Sequence, residues 1–187
     1  MVNNNKVNLS KFDNSWYKPS NSFKRFVWYF KNTVLLKSSL PWPNSFKIFA
    51  LRFFGAKVGK GVLIKPCVNI KYPWFLEIGD NVWIGENVWI DNLGKVKIGN
   101  NVCLSQGALL LCGNHNYKKE TFDLIVGDIT LEDGVWVGAK AVVCPGVTMK
   151  SHSILSVGSV LTKDAEAYGI YQGNPAVMVK KRVISKE

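Results

Sequence analysis

The stretch IGDNVWIGENVWIDNLGKVKIGNNVCLSQGALL, residues 78–110, decides the fold, because its aliphatic residues return every six positions. Ile78, Ile84 and Ile90 keep the interval, and after a slip of two residues Ile98, Leu104 and Leu110 resume it. An earlier frame, also offset by two, holds Val58, Ile64 and Ile70, and a later one runs through Ile125, Leu131, Val137, Val143, Met149, Leu155 and Leu161. Glycine follows the aliphatic at positions 59, 79, 85, 99 and 138, and turn-forming pairs such as Asp80-Asn81, Asn100-Asn101 and Pro145-Gly146 lie between. Period six is neither the stripe of an amphipathic helix nor the alternation of a half-buried strand. It is the mark of a parallel β-helix, in which stacked coils bury one another's aliphatic rows. The rows themselves are read as core.

The rest of the chain differs in character. Net charge is +11, from 24 Lys and Arg against 13 Asp and Glu in 187 residues, a length for one ordinary domain. Residues 1–60 hold 11 of the basic side chains and a single acid, Asp13, and 13 of the 23 aromatics precede Gly55. The chain is therefore divided into a basic, aromatic region (1–55), a solenoid (56–166) and a C-terminal tail (167–187) containing the segment GNPA. The start MVNNNKVN has no apolar leader, and the apolar run Phe26 to Phe30 ends at Lys31, far short of the ~20 residues that span a bilayer. Cys67, Cys103, Cys112 and Cys144 show no CxxC spacing, which points to reduced thiols and a cytoplasmic protein. No nucleic-acid-binding motif accompanies the basic N-terminus, so nucleic acid is not an expected partner.

Two helices are expected before the solenoid. Phe23, Phe26, Val27, Phe30 and Val34 share one helical face, with Ser20, Asn21 or Ser22 as cap and Pro41-Trp42-Pro43 as barrier. Phe46, Phe49, Ala50 and Phe53 repeat the pattern, with Asn44 or Ser45 as cap and Gly55 as stop. Apolar stripes usually face a core, so these aromatics are expected to pack on the rest of the protein and cap the first coil. The competing reading is a basic aromatic surface for anionic lipid, which would place the protein at the inner membrane surface.

The repeat breaks after Leu110. The segment GNHNYKKETFDL (113–124) is polar, lacks frame aliphatics until Leu124, and contains His115, one of only two histidines. A loop ejected from a rigid scaffold is where function is usually built. Together with YPWFLEIGDNVWIGENVWIDNLGKVKIGNNVCLSQGALLLCGNHNY (72–117), the segments LRFFGAKVGKGVLIKP (51–66), VWVGAKAVVCPGVT (135–148), SVGSVLTKD (156–164) and YQGNPA (171–176) carry a resemblance. The chain resembles the hexapeptide-repeat acyltransferases, most nearly the colanic-acid-type polysaccharide acetyltransferases.

That resemblance implies a left-handed parallel β-helix and a homotrimer with active sites between subunits. It also implies transfer of an acetyl group from acetyl-CoA to a saccharide hydroxyl in exopolysaccharide or glycan biosynthesis. It makes His115 the catalytic base, a role that imidazole suits near neutral pH. It places Asp91, Asn92 and Asn114 near the acceptor hydroxyl, although Asp91 and Asn92 read equally well as a solvated corner. It assigns Trp136, Gly138, Ala139 and Val157 to the CoA arm, Thr162 and Lys163 to its nucleotide end, and Lys180 to a phosphate. Val177 departs from the family pattern, where an arginine contacts phosphate, so that contact is absent or supplied by Lys181 or Arg182.

The same base and cosubstrate would serve an amino sugar, and a non-catalytic scaffold in a glycan-assembly complex is the remaining alternative. Cys112 is read as packing rather than as an acyl-accepting nucleophile, and His152 as a solvent-facing turn residue. Two histidines cannot furnish the three zinc ligands of the related carbonic anhydrases, so no metal is expected. Trp83 and Trp89 are expected to form an exterior apolar patch that builds the trimer.

Overall fold

The computed structural model describes residues 6–185. Between Lys57 and Leu161 the chain winds through five coils, each visiting three parallel sheets in turn. The first face stacks Lys57–Val58, Leu76–Ile78, Val96–Ile98, Ile129–Leu131 and Thr148–Met149. The second stacks Leu63–Ile64, Trp83–Ile84, Cys103–Leu104, Trp136–Val137 and Ile154–Leu155, and the third holds Asn69–Ile70, Trp89–Asp91, Leu109–Leu111, Val142–Val143 and Val160–Leu161. Register keeps the aliphatic rows in line, with Ile64 paired to Ile84 and Ile84 to Leu104. From Ile64 to Leu161 the row residues are buried, apart from Ile125, and they form one continuous core.

Every departure from period six falls at one corner, where the third face passes to the first. The extra residues after Ile70 form a short 3-10 turn, Pro73–Phe75. Those after Leu110 form an antiparallel hairpin of Gly113–His115 with Leu124–Val126. The hairpin corrects one frame assignment. Ile125 pairs with Asn114 and is exposed, and the frame resumes at Leu131, which stacks on Ile98. A hairpin strand of aliphatics and a solenoid strand look alike in a spacing count, because both are short apolar runs.

The glycines after the aliphatics have a common cause. A Cβ on Gly79 would lie 2.6 Å from Asn100 Oδ1 and 2.8 Å from the Gly99 carbonyl carbon. The same Asn100 oxygen accepts the Asp80 N–H at 2.8 Å, so the next coil's side chain occupies the space that the missing Cβ leaves. Gly59 meets Asp80 and Gly99 meets Asp133 in the same way. Gly79→Ala is therefore expected to destabilise the protein by about 1–3 kcal/mol through overpacking. A thermal melt checks this, with a fall of about 2–12 °C expected for a domain of this size.

The open edge of the first coil is covered by α1 (Ser22–Lys31), a π-helical turn (Asn32–Leu36) and α2 (Asn44–Phe53). An uncovered edge would present unpaired backbone groups to solvent or to another strand. Here side chains satisfy them one by one. Trp28 Nε1 donates to the Ile70 carbonyl at 2.9 Å, and the Lys47 ammonium to the Ile64 carbonyl at 2.9 Å. Asn44 accepts the Ile64 N–H and donates to the Val62 carbonyl, and Arg52 donates to the carbonyls of Val58 and Gly59. Asn44 is thus a cap for the β-edge and not for its own helix, whose preceding residue is Pro43. Asn21 does cap α1, accepting the Lys24 N–H at 2.7 Å.

This arrangement overturns the expected packing of the aromatic stripe. Trp28, Asn32, Leu36, Lys47, Ala50 and Leu51 face the solenoid, while Phe23, Phe26, Phe30, Val34, Phe46, Phe49 and Phe53 are exposed. At the far end, a hairpin of Gly169–Gly173 and Ala176–Lys181 extends the second face beyond Ile154–Leu155. Trp83 and Trp89 are both exposed but stand on the second and third faces respectively, on either side of a corner, so they do not share one flat patch.

Candidate active site

His115 closes the first hairpin strand, opposite Leu124. Its Nδ1 lies 2.9 Å from the Phe122 carbonyl oxygen. A carbonyl can only accept, so the neutral ring carries its proton on Nδ1 and leaves Nε2 as the lone-pair nitrogen. The Phe122 ring stacks flat on the imidazole at 4.4 Å, and Phe12 approaches at 5.7 Å. Phe122 adopts the left-handed φ of 52° that turns its carbonyl and ring back onto His115. Asn114 accepts the His115 backbone N–H at 2.8 Å, fixing the strand beside the imidazole.

The hairpin is tied to the chain's beginning. The Asn8 N–H donates to the Glu120 carbonyl, Lys11 pairs with Glu120 at 2.9 Å, and the Tyr17 hydroxyl donates to the Leu93 carbonyl at 2.6 Å. Burial pushes the Tyr17 phenol well above its ordinary pKa, so it stays a donor. Phe12 and Tyr17 were missed by sequence reasoning; residues about 100 positions from the loop leave no spacing signal.

Asp91 ends its strand directly beneath Leu111, and its Oδ1 lies 2.9 Å from Lys71 Nζ. A Cβ on Gly113 would stand 4.0 Å from Asp91 Oδ2, so this carboxylate borders the root of the His115 strand. Asn92 does not. It is fully buried, and its amide is spent on both backbone groups of Tyr72, at 2.9 and 2.6 Å, stapling the corner that the slip creates. The expectation that Asn92 meets the acceptor is corrected accordingly. Cys112 is fully buried and desolvation pushes its thiol up to about 12, so it is a protonated packing group at neutral pH. Cys112→Ala should keep most activity, and mass spectrometry after mixing with acetyl-CoA alone should find no acetyl adduct on Cys112.

The residues assigned to CoA form a second group. Trp136 Nε1 donates to Ser105 Oγ at 2.9 Å, with its ring partly exposed on the second face. Gly138 and Ala139 turn the corner to the third face, and the Gly158 N–H donates to the Ala139 carbonyl one coil on. A Cβ on Gly138 would lie 2.7 Å from the Leu155 carbonyl oxygen and the Val157 nitrogen, so this corner admits only glycine without a shift. Val157 is exposed on the same corner. Thr162 and Lys163 are exposed beyond the third face, and Lys180 on the last strand. Arg182 is committed elsewhere, donating to the carbonyls of Gly134 and His152, and Lys181 donates to Ala167. His152 itself is half-buried against Tyr168, stacked at 4.9 Å, and not solvent-facing as expected.

The His115 hairpin leaves the corner between the third and first faces, whereas Trp136 to Ala139 occupy the corner between the second and third. Cavities of about 320 and 250 Å³ lie between α1 and the third face and on the first face, and neither is lined by His115. Among the described residues no group of three or more His, Cys, Asp and Glu is placed to hold a metal.

The chain is 32% identical over 167 residues to the colanic acid biosynthesis acetyltransferase WcaF of Escherichia coli strain K12, covering 89% of this chain and 92% of that one. It belongs to that family of hexapeptide-repeat acetyltransferases. It is also 29% identical to the galactoside O-acetyltransferase of Escherichia coli, over 67% of this chain and 64% of that one. No family model matches the chain. Among solved structures, a hexapeptide-repeat acetyltransferase of Vibrio cholerae superposes with a TM-score of 0.77 at 20% identity, covering 85% of this chain and 90% of that one. The maltose O-acetyltransferase of Clostridium difficile superposes at 0.72 and 22% identity, over 85% and 87%. These two likenesses concern the fold.

Proposed function

We propose that the protein transfers an acetyl group from acetyl-CoA to a hydroxyl of a saccharide destined for an exopolysaccharide or related glycan. The observation that carries this reading is the bond from His115 Nδ1 to the Phe122 carbonyl, which leaves Nε2 unprotonated. A sugar hydroxyl is a poor nucleophile until its proton is removed. Nε2 takes that proton as the oxygen attacks the thioester carbonyl; the C–O bond forms, the C–S bond breaks, and CoA leaves as the thiol with the proton returned by the imidazolium. Asp91, held against Lys71 at the root of the hairpin, and Asn114 are assigned to the acceptor side. Trp136, Gly138, Ala139 and Val157 are assigned to the CoA arm, and Thr162, Lys163 and Lys180 to its charged end.

The reading includes a homotrimer. The two halves of the site stand at different corners of one chain, so a CoA lying along Trp136 to Val157 meets the His115 hairpin of a neighbouring copy. The names of the relatives, an acetyltransferase of colanic acid biosynthesis and a galactoside O-acetyltransferase, support a saccharide acceptor.

CoA release measured against a panel of sugars and oligosaccharides tests the proposal. An alkali-labile acetyl product is expected. An alkali-stable product would reassign the acceptor to an amine, and no product with any acceptor would leave a scaffold. A fully active monomer by light scattering would overturn the shared site.

A further inference from the structure

The cap helices present their most apolar sides outward. With Trp28 marking the direction of the solenoid and about 100° per residue, Phe23, Phe26 and Phe30 lie within about 40° of the opposite direction. On α2, Phe49 and Phe53 likewise lie away from the buried Lys47. Seven rings, Phe23, Phe26, Tyr29, Phe30, Phe46, Phe49 and Phe53, are each 56–78% exposed. At roughly 200 Å² per ring they leave on the order of 900 Å² of aromatic surface uncovered across the two helices, an unusual amount for a monomer's surface. Some of these rings pair with one another, Phe26 with Phe30 at 5.9 Å and Phe49 with Phe53 at 6.2 Å, yet among the described residues nothing covers them.

Charge identifies what does. Between Asp13 and Glu77 the sequence contains no acidic residue and 11 Lys and Arg. Lys47 is consumed inside the cap and Arg52 by the first-coil carbonyls, but Arg25, Lys31 and Lys37 are exposed, Arg25 and Lys31 on the flanks of α1 at about 60° to either side of Trp28, between the aromatic face and the solenoid. A second copy of this face is a poor partner, because an isologous contact would set cations against cations with no carboxylate between them. Among the described residues no helix is long and apolar enough to cross a membrane, so the cap can lie on a bilayer but not span it.

We propose that the α1–α2 cap is a membrane-docking surface for a bilayer rich in anionic lipid. The aromatic rings seat at the headgroup level, and the long Lys and Arg side chains on the flanks of the cap reach up to the lipid phosphates. The opposite sides of the same helices bond the edge of the first coil, so the docked face closes one end of the solenoid. The inference stands on the cap alone and not on the acetyl-transfer reading.

Co-sedimentation of the full-length protein with vesicles of phosphatidylcholine, with and without phosphatidylglycerol, tests it. Strong binding only to the phosphatidylglycerol vesicles is expected, weakening with added salt. A variant carrying Phe23→Ser, Phe26→Ser and Phe30→Ser should lose tenfold or more of that affinity, an order-of-magnitude figure for lost apolar anchoring. Its thermal melt and CoA-release activity on a soluble acceptor should be nearly unchanged, because these rings are mostly exposed on the side of α1 opposite the solenoid-facing Trp28. Lys31→Gln with Lys37→Gln keeps the rings and should cost roughly tenfold or more. This second variant decides the matter if the first fails to fold. Absence of wild-type binding, or equal binding to neutral vesicles, would overturn the proposal. So would concentration-dependent self-association that the serine variant abolishes, which would assign the face to a second copy.

Discussion

Replacing His115 with alanine is expected to lower turnover by on the order of 10²–10⁴, the usual span for a lost general base. CoA affinity should be nearly unchanged, since the CoA-assigned residues occupy another corner of the solenoid. The fall should therefore appear in kcat rather than in the KM for acetyl-CoA. The imidazole is a partly buried hairpin residue outside the solenoid core, so the variant should melt near the wild-type temperature. Steady-state kinetics with a soluble acceptor, together with calorimetric CoA binding, checks each part. Activity within threefold of wild type would remove His115 from the base role.

The largest stability effect is expected at Lys47. Its stem is packed in the cap at 2% exposure, its ammonium donates to the Ile64 carbonyl, and burial holds its pKa below the ordinary lysine value. Lys47→Ala removes a charged donor from an edge carbonyl and the packing of the stem, a loss of about 2–4 kcal/mol. Thermal denaturation should fall by about 5–15 °C. Lys47→Met restores the packing and not the bond, and should recover part of that loss. Equal melting of all three proteins would show that the cap does not need this bond.

Much of the architecture was legible because a solenoid is nearly one-dimensional. Each coil touches only its neighbours, so the six-residue return of Ile78, Ile84 and Ile90 states directly which residues one coil turns into the shared core. The glycines at 59, 79 and 99 were legible as a residue that recurs after the aliphatic but not as what they are: spaces for the side chains of Asp80, Asn100 and Asp133 in the next coil. His115 was legible as the histidine of a broken repeat. The bond that sets its tautomer was not, because it depends on Phe122 taking a left-handed backbone conformation seven residues later. Asn92 was misplaced for a related reason. A polar residue at a corner reads as solvated until the fold shows which backbone groups it serves.

The sequence by itself determined the solenoid, the site of its interruption and the presence of two cap helices. It did not determine which way those helices face. Periodicity reports which side of a helix is apolar, and the inference that the apolar side faces inward holds when the interior it meets is also apolar. Here the inward neighbour is the open edge of three β-strands, whose N–H and C=O groups need donors and acceptors more than they need aromatic rings. Trp28 through its indole N–H, Asn32 by accepting the Ile70 N–H, Asn44, Lys47 and Arg52 supply those partners, so the more polar sides turn inward and the phenylalanines are left outside. Only the tertiary structure places that edge beneath those helices.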